Sequence, residues 1–396
     1  MTAHQPGRPP TDPSGPSAPG RAAGTTARAT ARADHDPGRR TVLGLLGLAV
    51  LTAAGCAPGA DASGAAAGTD TAAEPGSVLW SFGTGRASRS PAVRYEDTVV
   101  CGSGETLHAL DAADGTPRWE HRTGPAVAQP LHHGGSLHVP LSGPGGGGSS
   151  GGGTVVLDPA DGSHRRDHPA RAGVFAAPVA HGNTVYLCGL DRTVQALDAG
   201  TGAVRWTFET DSQIFHTPVL HDELLHVATA DGVTHTLDTA DGSELRRFTT
   251  GGRPLAPQRT ASGLLLLADR VDATLHALDP ATGEESWAVR AAGEPTGLAT
   301  AGETVLLAAG RTLTARDAGS GEERWRADAA RDHSPVTVVG ATACHRSAAE
   351  TVTGLDLATG AHRWSHEADG AVLHLATDGG VLYLGTDRTT LTTLAV

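Results

Sequence analysis

From residue 77 to residue 396 the chain repeats one short cycle of apolar and polar positions. A run of four to seven residues rich in Val, Leu and Thr comes first, as in TVVCG, SLHVPL, TVYLCG, LLHVAT, LLLLAD, TVLLAAG, TACH and VLYLGT. A second run follows in which a large apolar residue alternates with a polar one and then a small one: Leu107, His108, Ala109; Val194, Gln195, Ala196; Leu275, His276, Ala277. Alternation with period two marks a strand with two unlike faces, and the lengths and β-branched content fit strands. The second run ends in an aspartate and a turn, TLHALDAADG at Gly115, with equivalents ending at Gly162, Gly202, Gly242, Gly283, Gly321 and Gly360, and a shortened eighth copy, TLTTLAV, at Val396. Eight copies spaced by about 40 residues lie in the range of propeller blades.

The turn itself has a mechanism. The Asp carboxylate can accept backbone N–H groups two residues on, and Gly supplies the positive φ at which the chain reverses. The repeated aspartates are therefore structural. Eight residues after five of them, Asp111, Asp198, Asp279, Asp317 and Asp356, stand Trp119, Trp206, Trp287, Trp325 and Trp364, in the unit D-x-x-x-G-x-x-x-W. The small residue of the preceding strand leaves room for the indole. Arg166 and Arg246, the latter with Phe248 nearby, hold the Trp position after Asp158 and Asp238, so those two blades are expected to dock less tightly.

Five such units in register resemble the tryptophan-docking repeat of the pyrroloquinoline quinone (PQQ) propellers, over about residues 77–396. The resemblance implies an all-β, eight-bladed β-propeller. Trp80 has no aspartate before it; Val78 to Phe82 reads as an outer strand without its inner three, and residues 371–396 as inner strands without an outer one. Joining them completes blade eight and removes a free sheet edge.

The first 76 residues differ. Residues 1–38 are Pro, Gly, Ala, Ser, Thr and scattered Arg, too poor in large apolar side chains to order themselves. Residues 39–56 read as an export signal: Arg39 and Arg40, a short apolar run, then Ala53-Ala54-Gly55-Cys56. The run is too short to span a bilayer as a helix. Gly-Arg-Arg-Thr-Val-Leu resembles a twin-arginine signal, and Ala-Ala-Gly-Cys a lipobox, although Ala53 stands where Leu is usual; acylation would fall on Cys56. Two acyl chains suffice for stable anchoring. Residues 57–76 form a flexible spacer that as a coil spans about 25 Å. The expectation is an extracytoplasmic lipoprotein held at the outer face of the cell membrane.

Charge narrows the partners. The chain carries −13; residues 1–56 hold six Arg against three Asp, so the remainder carries −16, a sign that disfavours nucleic acid. Every basic residue is Arg, which with the Ala and Gly load reads as high-GC codon usage and not as a recognition device. Cys101, Cys188 and Cys344 fall in apolar strands of well-separated blades and are expected as buried free thiols.

Catalytic patterns are weak. Gly147-Gly148-Ser149-Ser150-Gly151 matches a serine-hydrolase elbow but lies in a Gly-Ser tract, read as an inserted loop of blade two with no helix after it. The twenty histidines lack zinc-site spacing and read mostly as surface or strand-exposed residues, and no calcium loop is present, so no metal is expected. Quinoprotein dehydrogenases resemble this chain in blade number, but their adjacent cysteine pair and long inserts are missing; PQQ is not expected as a cofactor, nor enzymatic activity.

What remains is recognition at the channel mouth, where one position per blade converges. Arg89, Gln129, His216, His333 and His374, just before or at the start of the innermost strands, are the candidate ligand or partner residues; the plain alternative is that they solvate a rim. The resemblance extends to propeller lipoproteins that assist outer-membrane assembly, implying a monomeric interaction scaffold with a protein partner in the envelope, although the composition points to a cell without an outer membrane. It extends also to propeller ectodomains of bacterial kinases, implying a ligand sensor that here needs a separate signalling partner. A PQQ-dependent oxidoreductase is the third and least supported reading.

Overall fold

Every aspartate turn joins the third and fourth strands of an antiparallel sheet, and eight such sheets follow one another around a ring. The computed structural model describes residues 73–126, 128–143, 152–330, 335–378 and 380–396; Cys56, Arg39, Arg40, His333 and most of the Gly-Ser tract lie outside them. Residues Thr69–Val396 form one unit. Blade 1 comprises Ser88–Tyr95, Thr98–Ser103, Thr106–Asp111 and Pro117–Arg122, and blades 2 to 7 repeat this order. Blade 8 takes Val372–Asp378, Val381–Thr386 and Thr390–Ala395 from the C-terminal end and Val78–Gly83 as its outer strand. The first and last innermost strands pack against one another and close the circle.

The small residue of each third strand sits directly opposite the indole of the fourth: Ala109 pairs with Trp119, Ala196 with Trp206, Ala277 with Trp287, Ala315 with Trp325 and Gly354 with Trp364. Each indole then lies on the turn glycine of the following blade. A methyl group on Gly115 would come within 2.6 Å of Trp80, and one on Gly162 within 2.5 Å of Trp119. These glycines are required twice over, since their φ values of +74° and +70° also disfavour any other residue. The indole N–H of Trp80, Trp119, Trp206, Trp287 and Trp325 donates to the carbonyl of the residue after the next blade's aspartate, at 2.9 to 3.0 Å.

The aspartates build the turn as their spacing predicts. Asp111 Oδ1 accepts the N–H of Ala113 at 2.9 Å, while Oδ2 takes the Arg118 guanidinium at 2.7 Å. The same Asp–Arg pair, seven residues apart, recurs at Asp158–Arg165, Asp198–Arg205, Asp317–Arg324 and Asp356–Arg363. Bonding to the guanidinium holds the Asp111 and Asp198 carboxyls below the usual carboxylate range.

Apolar layers fill the spaces between neighbouring blades. Val100 and Leu107 of blade 1 pack with Leu137, Val139 and Leu157 of blade 2. The two interfaces without tryptophan have the smallest buried clusters: Val185, Leu187, Leu197 and Ala199 between blades 2 and 3, and Leu265, Leu267 and Leu278 between blades 4 and 5. At the first of these Arg166 replaces the indole, donating to the carbonyls of Gly200 and Ala199 at 2.7 and 2.5 Å. At the second, Phe248 covers Gly283.

Two expectations meet the interior. Cys101, Cys188 and Cys344 are free and buried, and burial pushes the Cys101 and Cys344 thiols up to about 12. The described histidines divide: His108, His138, His226, His235, His345 and His374 are buried, whereas the others are at least partly exposed. Strand positions that alternate in sequence face a neighbouring blade on both sides of the sheet, so a polar residue there is enclosed although its neighbours in sequence read as amphipathic.

Candidate functional site

Because the strands of a blade alternate in direction, the ring has two unlike faces. The aspartate turns and the turns joining first to second strands emerge on one, the turn face. The second-to-third turns and the blade-to-blade connections emerge on the other, the connector face. Arg89, Gln129, His216 and His374 all lie toward the connector face.

On that face the ring is uneven. Innermost strands run the full wall in blades 1, 6 and 8, as Ser88–Tyr95, Pro295–Ala301 and Val372–Asp378. In blades 2 to 5 they shrink to Leu131–His133, Val179–His181, Val219–His221 and Gln258–Arg259. Pro130, Pro178, Pro218 and Pro257 immediately precede these short strands. Proline has no N–H to give to a ladder, and at the equivalent Pro91 the long strand of blade 1 also loses its register between Ser90 and Val93 before pairing resumes toward the connector face. Residues 173–178 and 213–218 instead run as irregular chain along the mouth, a crescent of four consecutive blades.

Three of the predicted rim residues spend their polar atoms on neighbouring blades. Gln129 Nε2 donates to the carbonyl of Ala92 in blade 1 at 2.8 Å, answered by Ser90 Oγ donating to Ala128 at 2.8 Å. His216 is half-buried and bonds to the backbone of Pro254 in blade 5; burial lowers its pKa and Arg270 lowers it further. His374 is buried against Gly385, and its Nε2 donates to the carbonyl of Ser88 at 3.0 Å. That bond fixes the neutral tautomer, and burial holds the ring down to about 4. These residues act as latches between inner strands. Arg89, within the first strand of blade 1, is exposed instead.

The crescent carries what the polar pattern missed. Phe175 and Phe215, in equivalent places three residues before Pro178 and Pro218, are 39 % and 40 % exposed. Their rings lie on adjacent blades with centroids 6.3 Å apart and planes tilted by 56°. A Phe recurring at a 40-residue interval beside a Pro was the available signal. Among the described residues, no hydrogen bond uses the backbone N–H of Phe175, Phe215, His216 or Thr217. Arg171 lies in the connection of Phe175 and Arg253 in the connection that follows that of Phe215; like Arg89 they are exposed, and among the described residues none of the three is in an ion pair.

The turn face is different in kind. Its arginines are taken up by the repeated aspartates, and its inner edge carries a run of histidines: His133 Nε2 donates to the Gly182 carbonyl at 2.9 Å, and His181 approaches Glu223 at 3.7 Å. Among the described residues no group of three or more His, Cys, Asp or Glu is arranged to hold a metal ion, and no helix is long and apolar enough to cross a membrane.

Ring, turns and indole docking together define a tryptophan-docked β-propeller of the PQQ-repeat class. The family model described as outer membrane protein assembly factor BamB matches residues 66–164, 151–271 and 271–395, and the chain belongs to that family. No curated protein sequence matches it significantly. Among solved structures, the computationally designed Ika8 protein is similar with a TM-score of 0.70 and 16 % identity, over 81 % of this chain and 99 % of that one. BamB from Moraxella catarrhalis is similar with a TM-score of 0.65 and 17 % identity, over 81 % and 99 %. A quinohemoprotein alcohol dehydrogenase from Pseudomonas putida HK5 gives 0.66 and 12 % identity, over 81 % of this chain and 76 % of that one. At these identities the likeness is one of fold, and it reaches catalytic and non-catalytic propellers alike.

Proposed function

We propose that this protein is a non-catalytic interaction scaffold of the cell envelope, exported under Arg39 and Arg40 and tethered to the membrane through lipid on Cys56. Membership of the BamB family supports an envelope role, since the matching family model is described as an outer membrane protein assembly factor. The observation that carries the reading is the crescent. A ring whose polar rim groups latch blade to blade, yet whose connector face leaves an aromatic pair and main-chain donors open, is suited to binding a surface. Arg89 joins this surface; Gln129, His216 and His374 set its shape.

The chain enters the ring on the turn face, where Gly76 meets Ala395. Crosslinking on intact cells, with identification of attached proteins, tests the proposal. Wild-type protein is expected to capture envelope proteins, and a Cys56→Ser variant to appear in the medium with reduced capture. Recovery of no partner, with a small molecule co-purifying, would instead favour a ligand sensor.

A further inference from the structure

We propose that the connector-face crescent of blades 3 to 5 seats an extended, acidic peptide segment of a partner protein, anchored by one apolar side chain on Phe175 and Phe215. The inference rests on the scaffold reading and names its partner's chemistry.

Three observations converge. The two phenyl rings are the exposed aromatic side chains among the described residues, and they share an edge at 6.3 Å. An area of that size receives one aliphatic or aromatic side chain, not a flat protein face. Beside them the backbone N–H groups of Phe215, His216 and Thr217 have no acceptor among the described residues. Ladder pairing of this blade's inner strand begins only at Val219, so successive donors stand ready for the carbonyls of an extended chain.

Charge then selects the sequence. Arg171 shares the connection of Phe175, Arg253 lies in the connection after that of Phe215, and neither is in an ion pair among the described residues, whereas Asp211 of Phe215's connection faces Arg247 at 3.9 Å and the arginines of the turn face are held by aspartates. Free guanidinia beside main-chain donors favour carboxylates. Nucleic acid meets the −16 of residues 57–396 over a much larger surface, and a lipid surface has no use for a row of main-chain donors.

Selection from a random dodecapeptide display library on the full chain tests this. Enriched peptides are expected to carry one Leu, Ile, Phe or Trp among several Asp and Glu. The best of them, as a synthetic peptide, is expected to bind Phe175→Ala/Phe215→Ala protein at least about tenfold more weakly. Arg171→Gln/Arg253→Gln is expected to weaken binding and flatten its salt dependence. Unchanged melting curves for both variants exclude loss of fold, and Phe175→Leu is expected to retain most binding. No enrichment, enrichment of basic peptides, or indifference to the Phe and Arg variants overturns the proposal. If crosslinking on cells still captures envelope proteins in the Phe175→Ala/Phe215→Ala variant, the scaffold reading stands and this site falls; if wild type captures none, the scaffold reading itself falls.

Discussion

Gly76 donates its backbone N–H to the carbonyl of Ala395 at 2.8 Å, across the seam between the two ends of the propeller. The bond copies the one by which Gly115 donates to Asp111 at 2.9 Å inside an unbroken turn. Ala395 in turn donates to the Ser77 carbonyl at 3.0 Å, as Asp111 donates to Thr116 at 2.8 Å. Blade 8 therefore has the same turn as the others, split between two chain segments, with Gly76 under Trp364 where Gly162 lies under Trp119. The ring closes by a whole repeat, not by edge pairing alone.

This predicts that Gly76 matters beyond its backbone angle. Gly76 and Gly85 both have positive φ, +82° and +73°, but a methyl on Gly76 would lie 3.0 Å from the Trp364 ring while one on Gly85 meets nothing. Gly76→Ala is expected to cost at least about 1 kcal/mol more than Gly85→Ala, the difference being overpacking. Paired urea titrations measure it. Equal losses would mean that Trp364 adapts freely and the split turn contributes little.

The tryptophan-free blades differ from each other. Arg166 makes two hydrogen bonds to the next blade, whereas no hydrogen bond of Arg246 is found among the described residues. Arg166→Ala is expected to destabilise by about 1 kcal/mol or more, Arg246→Ala by less than about half of that. Chemical denaturation of the two variants decides it, and an equal effect would assign the docking to side-chain stems.

Acid should loosen the ring before it protonates the aspartates. Burial holds His138, His226, His345 and His374 at about 4, whereas an unfolded histidine titrates near 6.5. The unfolded chain binds the extra protons, so stability is full above about pH 6.5 and falls as the pH drops toward 4. The aspartates paired with arginine, whose carboxyls are held low, add their loss only below the ordinary carboxylate range. Melting temperatures at pH 7.5, 6.5, 5.5 and 4.5 are expected to decline steadily, and His226→Gln to make the decline shallower. A flat profile between pH 6.5 and 4.5 contradicts this.

Thiol chemistry gives a simple check on the core. Cys101, Cys188 and Cys344 are buried and their thiols pushed up by desolvation. In a Cys56→Ser variant, native protein is expected not to react with a thiol reagent at pH 7, and denatured protein to release colour for three thiols. Fast labelling of native protein would show blades opening locally.

The sequence by itself determined the repeat. Asp–Gly turns, alternating strands and the small residue facing each indole act within one blade, and local rules read them. Even the seam was legible, because Trp80 lacked its aspartate. Only the tertiary structure decided which polar residues are buried and which apolar ones are exposed. His374 was misplaced by the sequence pattern and Phe175 was missed by it. His374 looked like a rim group, yet it sits against Gly385 and bonds to Ser88 of another blade. Phe175 drew no notice in the strand pattern, yet it stands exposed in the irregular chain before the short inner strand of blade 3. In a ring, each residue's surroundings come from the blade beside it, about 40 residues away, and strand pattern carries no record of that neighbour.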